Sequence, residues 1–186
     1  MKQSRSFCAL FAAVLTLALA AGATTIVQMN LDELTGAARV VARGKCISSE
    51  ARLDGGYIWT FTTFDVGETL KGSAASQITV RLLGGKVGHM KSTVDGVPEF
   101  TRGEEVYLFL EPTRAGDLSV TGWVQGTFRV RSDVQTGKEV VTQDSAAFAT
   151  FDPATRQFKQ SGVRNMPVEE FRQRVREAAE RQRTGK

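Results

Sequence analysis

The chain of 186 residues has one histidine, His89, and two cysteines, Cys8 and Cys46. A single histidine leaves no second imidazole for a His-based metal site, which needs three or four N, S or O ligands. The acids nearest to it in sequence, Asp95 and Glu99, fit many loops, and no clustered ligand set is visible. A lone loop histidine of this kind is normally solvated, so no metal or cofactor is expected. Catalytic chemistry is narrowed in the same way. Cys46–His89 is the only cysteine–histidine pair outside the N-terminal segment, and no G-x-S-x-G motif marks a serine nucleophile. The acids are scattered along strand ends, without a recognisable carboxylate pair. The chain therefore reads as non-enzymatic, with a hydrolase using His89 the least favoured alternative.

Charge of one sign is also scarce. The formal excess is +4, and it falls to +2 when Lys2 and Arg5 are set aside. The basic side chains gather toward the C-terminus instead of forming a stripe, so no nucleic-acid partner is expected. No long hydrophobic run follows the N-terminal segment "MKQSRSFCALFAAVLTLALAAGATT". That segment has a basic start at Lys2 and Arg5, an apolar stretch from Phe7 to Ala20, and two small-residue endings, Ala18-Leu19-Ala20 and Ala21-Gly22-Ala23. It reads as a secretory signal peptide over residues 1–23, too short to span a bilayer comfortably. Cys8 lies early in the apolar run, so it is not a lipid-attachment cysteine. After cleavage only Cys46 remains, which excludes an intramolecular disulfide. The protein is expected to be exported, periplasmic or secreted, and monomeric, without a stable membrane span.

What is present is mostly strand pattern. "QMNLDEL" opens a short helix, with Asn30 and Glu33 placed as a capping box and Gly36 near its end. "RVVARGKC" alternates, with Val40, Ala42, Gly44 and Cys46 on one face, so Cys46 is expected to be a buried, unreactive thiol. Gly44 suggests a bend or bulge. Asp54-Gly55-Gly56 marks a hairpin. The strand after it is apolar on both parities, with Tyr57, Trp59 and Phe61 forming an aromatic face that either binds something or is covered. "QITVRLL" alternates, and "EEVYLFLEP" places Val106, Leu108 and Leu110 on one side. "LSVTGWVQGTFRVRSD" reads as two strand pieces split near Gly122 or Gly126, and "KEVVTQD" as a hairpin partner. "FATFDPATRQFKQSG" is weakly patterned and reads as loop. At the C-terminus Val168, Phe171, Val175 and Ala178 or Ala179 recur at helical spacing. This amphipathic helix carries Glu170/Arg174 and Glu177/Arg181 as i,i+4 pairs, and is expected to dock over Tyr57–Phe61. No βαβ rhythm appears. The expected fold is mainly β, a small OB-like antiparallel barrel over residues 24–160 with a short N-terminal helix, and a C-terminal helix within 161–186 packed on it.

"GGKVGHMKS", from Gly84 to Ser92, comes close to a phosphate-binding loop. The motif requires a glycine where Met90 stands, and a helix where "TVDGVPEF" follows. Nucleotide binding is therefore not expected. The stretch reads as a glycine-rich connection over a rigid barrel, a common place for recognition, with Lys86, His89 and Lys91 as its binding candidates.

"LTGAARVVARGKC", "FTTFDVGETLKG", "ITVRL" and "FTRGEEVYLFL" occur in that order between Leu31 and Leu110. Together they resemble a group of uncharacterised exported bacterial proteins. More distantly they are similar to the OB-fold of tissue inhibitors of metalloproteinases and netrin-like modules. The resemblance implies a five-stranded OB-like barrel with additions, and a binding or inhibitory role. Those inhibitors chelate the protease zinc through an N-terminal cysteine. Here the start after cleavage is at Thr24 and no cysteine precedes Cys46, so no site residue carries over. The expected function is an exported binding module for a protein or cell-envelope component, with a protease-inhibitor-like role, directed at a secreted protease, as the alternative. Mass spectrometry of the exported protein checks the leader: Thr24 is the expected first residue, and a chain retaining residues 1–23 contradicts it.

Overall fold

The structure, a computed structural model, describes residues 26–184, so the leader read at residues 1–23 lies outside the described residues. Helix α1 (Leu31–Ala37) begins as its sequence dictates. The Asn30 side chain accepts from the Glu33 N–H at 2.9 Å, and the Glu33 carboxylate accepts from the Asn30 N–H at 2.7 Å. Two long strands follow, β1 (Val40–Asp54) and β2 (Tyr57–Lys71), joined by a turn in which Gly55 and Gly56 take φ of +59° and +83°. After them come β3 (Gln77–Leu83), the short β4 (Gly85–Val87) and β5 (Met90–Ser92), then β6 (Glu105–Pro112), β7 (Leu118–Val120), β8 (Thr127–Ser132) and β9 (Glu139–Gln143). A hairpin of β10 (Ala149–Asp152) and β11 (Gln157–Gln160), the two-residue β12 (Met166–Pro167) and helix α2 (Val168–Thr184) complete the chain.

The class is mainly β, as expected, but the closed barrel is corrected. One eight-stranded sheet runs β1-β2-β3-β7-β6-β8-β9-β12, and β6 also pairs with β1. The seam between β3 and β7 is a single parallel bridge, Val80↔Leu118, because β7 is only three residues long. Beyond it, the same edge of β6 is taken by β8 through Val106↔Arg129, Tyr107↔Phe128 and Leu108↔Thr127. The sheet therefore curls without sealing, and β8, β9 and β12 lead away from the curl. The split near Gly122 is a short 3-10 turn, Trp123–Gly126, between β7 and β8. The stretch read as loop after Phe148 is the β10–β11 hairpin, tied by the Asp152 carboxylate accepting from the Ala154 N–H and the Thr155 hydroxyl.

Strand parity builds two hydrophobic clusters. Inside the curl, Val40, Ala42, Cys46, Phe64, Val80, Leu82, Val106, Leu108 and Leu110 pack together. On the other side, Val41, Leu70, Tyr107, Phe109, Phe128 and Val141 meet Leu34 of α1 and Phe171 and Val175 of α2. β2 changes sides at Gly67. Gly44 pairs with Val66 and Arg43 with Glu68, which leaves Gly67 as the extra residue of a bulge. The bend expected at Gly44 is thus real, but the extra residue sits on the partner strand. Phe64 and Val66 line the first cluster, whereas Leu70 belongs to the second.

Helix α2 buries Val168, Phe171, Val175, Ala178 and Ala179, the stripe its spacing predicts. Its docking site is not the one expected. Phe171 sits 4.8 Å from Phe128, 5.0 Å from Tyr107 and 6.4 Å from Phe109, ring centre to ring centre. Tyr57 is left 63% exposed. The helix packs instead against the odd positions of β6, Tyr107 and Phe109. Glu170 pairs with Arg174 at 2.6 Å as expected, but Arg181 reaches Asp32 of α1 at 2.6 Å in place of Glu177. Among the described residues no helix is long and apolar enough to cross a membrane. By chemical denaturation, Phe171→Ala is expected to cost about 3–5 kcal/mol, and Tyr57→Ala no more than about 0.5 kcal/mol. Equal costs contradict this docking.

Candidate functional site

β3 ends where the chain must turn out of the sheet, and the two glycines at 84 and 85 allow it with φ of +101° and +128°. The turn is seated by two hydrogen bonds: the Gly84 N–H donates to the Ile58 carbonyl at 2.8 Å, and the Thr60 hydroxyl donates to the Gly84 carbonyl at 2.7 Å. A Cβ on Gly85 would lie 2.4 Å from the Thr60 hydroxyl and 2.8 Å from the Ala51 Cβ. The connection expected here as loop therefore contains a small antiparallel hairpin, β4–β5. Its pairs are Gly85↔Ser92, Lys86↔Lys91 and Val87↔Met90, and Gly88–His89 forms its tip.

Beneath the hairpin lies a cleft of about 370 Å³. β1 and β2 contribute Ser49, Ala51, Thr60 and Thr62, and β3 contributes Leu82 and Leu83. The hairpin contributes Lys86, Lys91 and Ser92, and the connection to β6 supplies Thr93, Val94, Val97, Pro98, Glu99 and Phe100. This last wall is held in place from behind. Phe100 stands edge-on to Phe64 at 5.0 Å, the Val124 N–H donates to the Gly96 carbonyl, and Arg129 donates to the Glu99 carbonyl at 2.8 Å. Arg129 is itself fixed by Asp144 at 2.7 Å and Glu104 at 2.8 Å. Within the cleft the Ser49 and Thr62 hydroxyls share a hydrogen bond of 2.9 Å. The side chains of Lys86 and Lys91 form no hydrogen bond or ion pair with any described residue.

The candidates from the sequence separate into three places. Lys86 and Lys91 line the cleft, while His89 is exposed at the hairpin tip, away from its lining. Tyr57, Trp59 and Phe61 lie on the opposite face of β2. Trp59 and Phe61 are half-buried under arginines: the Arg81 guanidinium stands 4.1 Å from the Trp59 ring centre, and that of Arg52 5.2 Å from Phe61. Arg81 is further tied to Asp54 at 2.8 Å and Asp117 at 3.1 Å. That face is a cation–π ladder with its charges neutralised, and the covering role expected of α2 falls to Arg81 and Arg52.

Cys46 is 1% exposed in the first cluster, where burial and then the charge of Glu104 push its thiol up, opposite to what a thiolate nucleophile needs. Among the described residues no three His, Cys, Asp or Glu side chains converge as a metal site. The sequence does not single out the hydroxyl-bearing lining residues Ser49, Thr60, Thr62 and Thr93. They carry no local motif: the β1–β2 register brings Ser49, Thr60 and Thr62 to one surface, and the connection after β5 adds Thr93. The chain matches no protein-family model and no curated protein sequence.

Gly85→Ala is expected to unseat the hairpin at a cost of about 1–3 kcal/mol. Trypsin should then cut after Lys86 and Lys91 at least about tenfold faster, whereas His89→Ala leaves the rate unchanged. Equal cleavage of Gly85→Ala and the parent contradicts the seating.

Proposed function

We propose that this chain is an exported, non-enzymatic binding module whose ligand, a protein or cell-envelope component, sits in the cleft beneath β4–β5. One observation carries this. A cleft within the usual size range of ligand sites is built on long, registered strands, and its rim holds two lysines whose side chains have no partner among the described residues. The other reactive-looking residues are accounted for elsewhere: Cys46 by burial, Trp59 and Phe61 by their arginines, His89 by its position at an exposed tip. The circuit β1-β2-β3-β7-β6, with its weak seam between β3 and β7, supports the likeness to a five-stranded, partly open Greek-key barrel of the OB type. Recognition through a connection laid over such a rigid scaffold is common.

Envelope extract passed over the immobilised chain tests the reading. Thr93→Trp places an indole in the cleft from an exposed position, and is expected to reduce retention of the bound component at least about tenfold. Tyr57→Ala is expected to leave retention unchanged. Retention that survives Thr93→Trp, or is lost in Tyr57→Ala, contradicts the assignment of the cleft.

A further inference from the structure

We infer that the ligand carries a single anionic group, a carboxylate or a phosphate, on an apolar body, and that Lys86 and Lys91 grip that group together. This rests on the cleft being the binding site. The two lysines are direct cross-strand partners, so their side chains leave the same face of the hairpin with Cβ atoms about 4.5–5.5 Å apart. Like charges directly opposite each other destabilise a strand pair, and no acid among the described residues forms an ion pair with either lysine. The hairpin is only three residues per strand, so it has little pairing to spare for that repulsion. An anion held between the two ammonium groups converts the repulsion into two charge-assisted hydrogen bonds.

The rest of the lining sets the remaining chemistry. Leu82, Val97 and Phe100 give the cleft an apolar floor, with the Ser49 and Thr62 hydroxyls already bonded to each other. Glu99 is the one acid of the lining, contributed by a different segment from the lysines. It disfavours a second negative group, so the ligand is anionic at one end only. A cleft of about 370 Å³ takes a short apolar body.

Calorimetric titration of the full chain with octanoate, octyl phosphate, 1-octanol and acetate tests the inference. At least one of octanoate and octyl phosphate is expected to bind at one site. The tighter of the two identifies the headgroup. 1-Octanol, which lacks the charge, should bind at least about tenfold more weakly, and acetate, which lacks the body, should not saturate over the same range. In the double variant Lys86→Gln/Lys91→Gln the anionic probe should lose at least about tenfold in affinity, since hydrogen bonds to charged groups contribute about 1.5–3 kcal/mol each. The thermal midpoint should be unchanged or higher, because the repulsion is gone. Equal binding of octanoate and 1-octanol, absence of binding by both anionic probes, or undiminished binding in the double variant overturns the inference. The two proposals fail differently. If Thr93→Trp abolishes retention of the envelope component and Lys86→Gln/Lys91→Gln does not, the cleft stands and the anion is wrong. If neither variant affects retention, both are wrong.

Discussion

Strand β6 has apolar side chains that must be buried on both of its faces. From Val106 to Leu110 no side chain reaches solvent. A strand of this kind cannot lie at the surface of a one-layered barrel. Its even positions need the inside of the curl, and its odd positions need a second layer. That second layer is α1, α2, β8 and β9, assembled around Tyr107 and Phe109. The open seam follows from the same demand, because the edge of β6 is shared between β7 and β8.

Burying Tyr107 brings a polar group inside, and the fold meets it with charge. Its hydroxyl donates to the Glu68 carboxylate at 3.0 Å. Burial and then the nearby Glu68 charge push the phenol up to about 12. Glu68 accepts in turn from Arg172, with Nε at 2.9 Å from both carboxylate oxygens, and from Arg176 at 3.1 Å. The bulge at Gly67 is what turns Glu68 to this side of β2. A one-residue irregularity in the sheet thereby adds an ionic tie between β2 and α2.

Most elements were legible in the sequence, because their signals are local. The Asn30–Glu33 capping box, the Asp54-Gly55-Gly56 turn, the parity of Val40, Ala42 and Cys46 and the helical stripe of α2 each depend on neighbours a few residues away. Errors arose where distant partners decide. The alternation of "VYLFL" points to one apolar face where the strand has two, and "YIWTF" carries no sign of what covers it. Arg81 and Arg52 cover Trp59 and Phe61, and nothing in the spacing of β2 points to residues 81 and 52. In "FATFDPATRQF" the turn at Asp152 is written in the sequence, but the flanking strands are only four residues long and β11 is exposed throughout, so neither shows a clear alternation. Of the cleft, Lys86 and Lys91 were visible because they stand in a glycine-rich stretch. Ser49, Thr60, Thr62 and Thr93 were not, because the sheet register brings the first three together and the connection after β5 adds the fourth.

The division of labour between β6 and the β4–β5 hairpin is the centre of this account. One element holds both clusters together; the other is seated by two hydrogen bonds and is left available for a ligand. Native-state hydrogen exchange measures this directly. Amides of Tyr107 to Leu110 are expected to exchange only through global unfolding, and those of Val87 and Met90 through local openings of much lower free energy. Local exchange within β6, or equal protection of the hairpin and β6, would contradict the account.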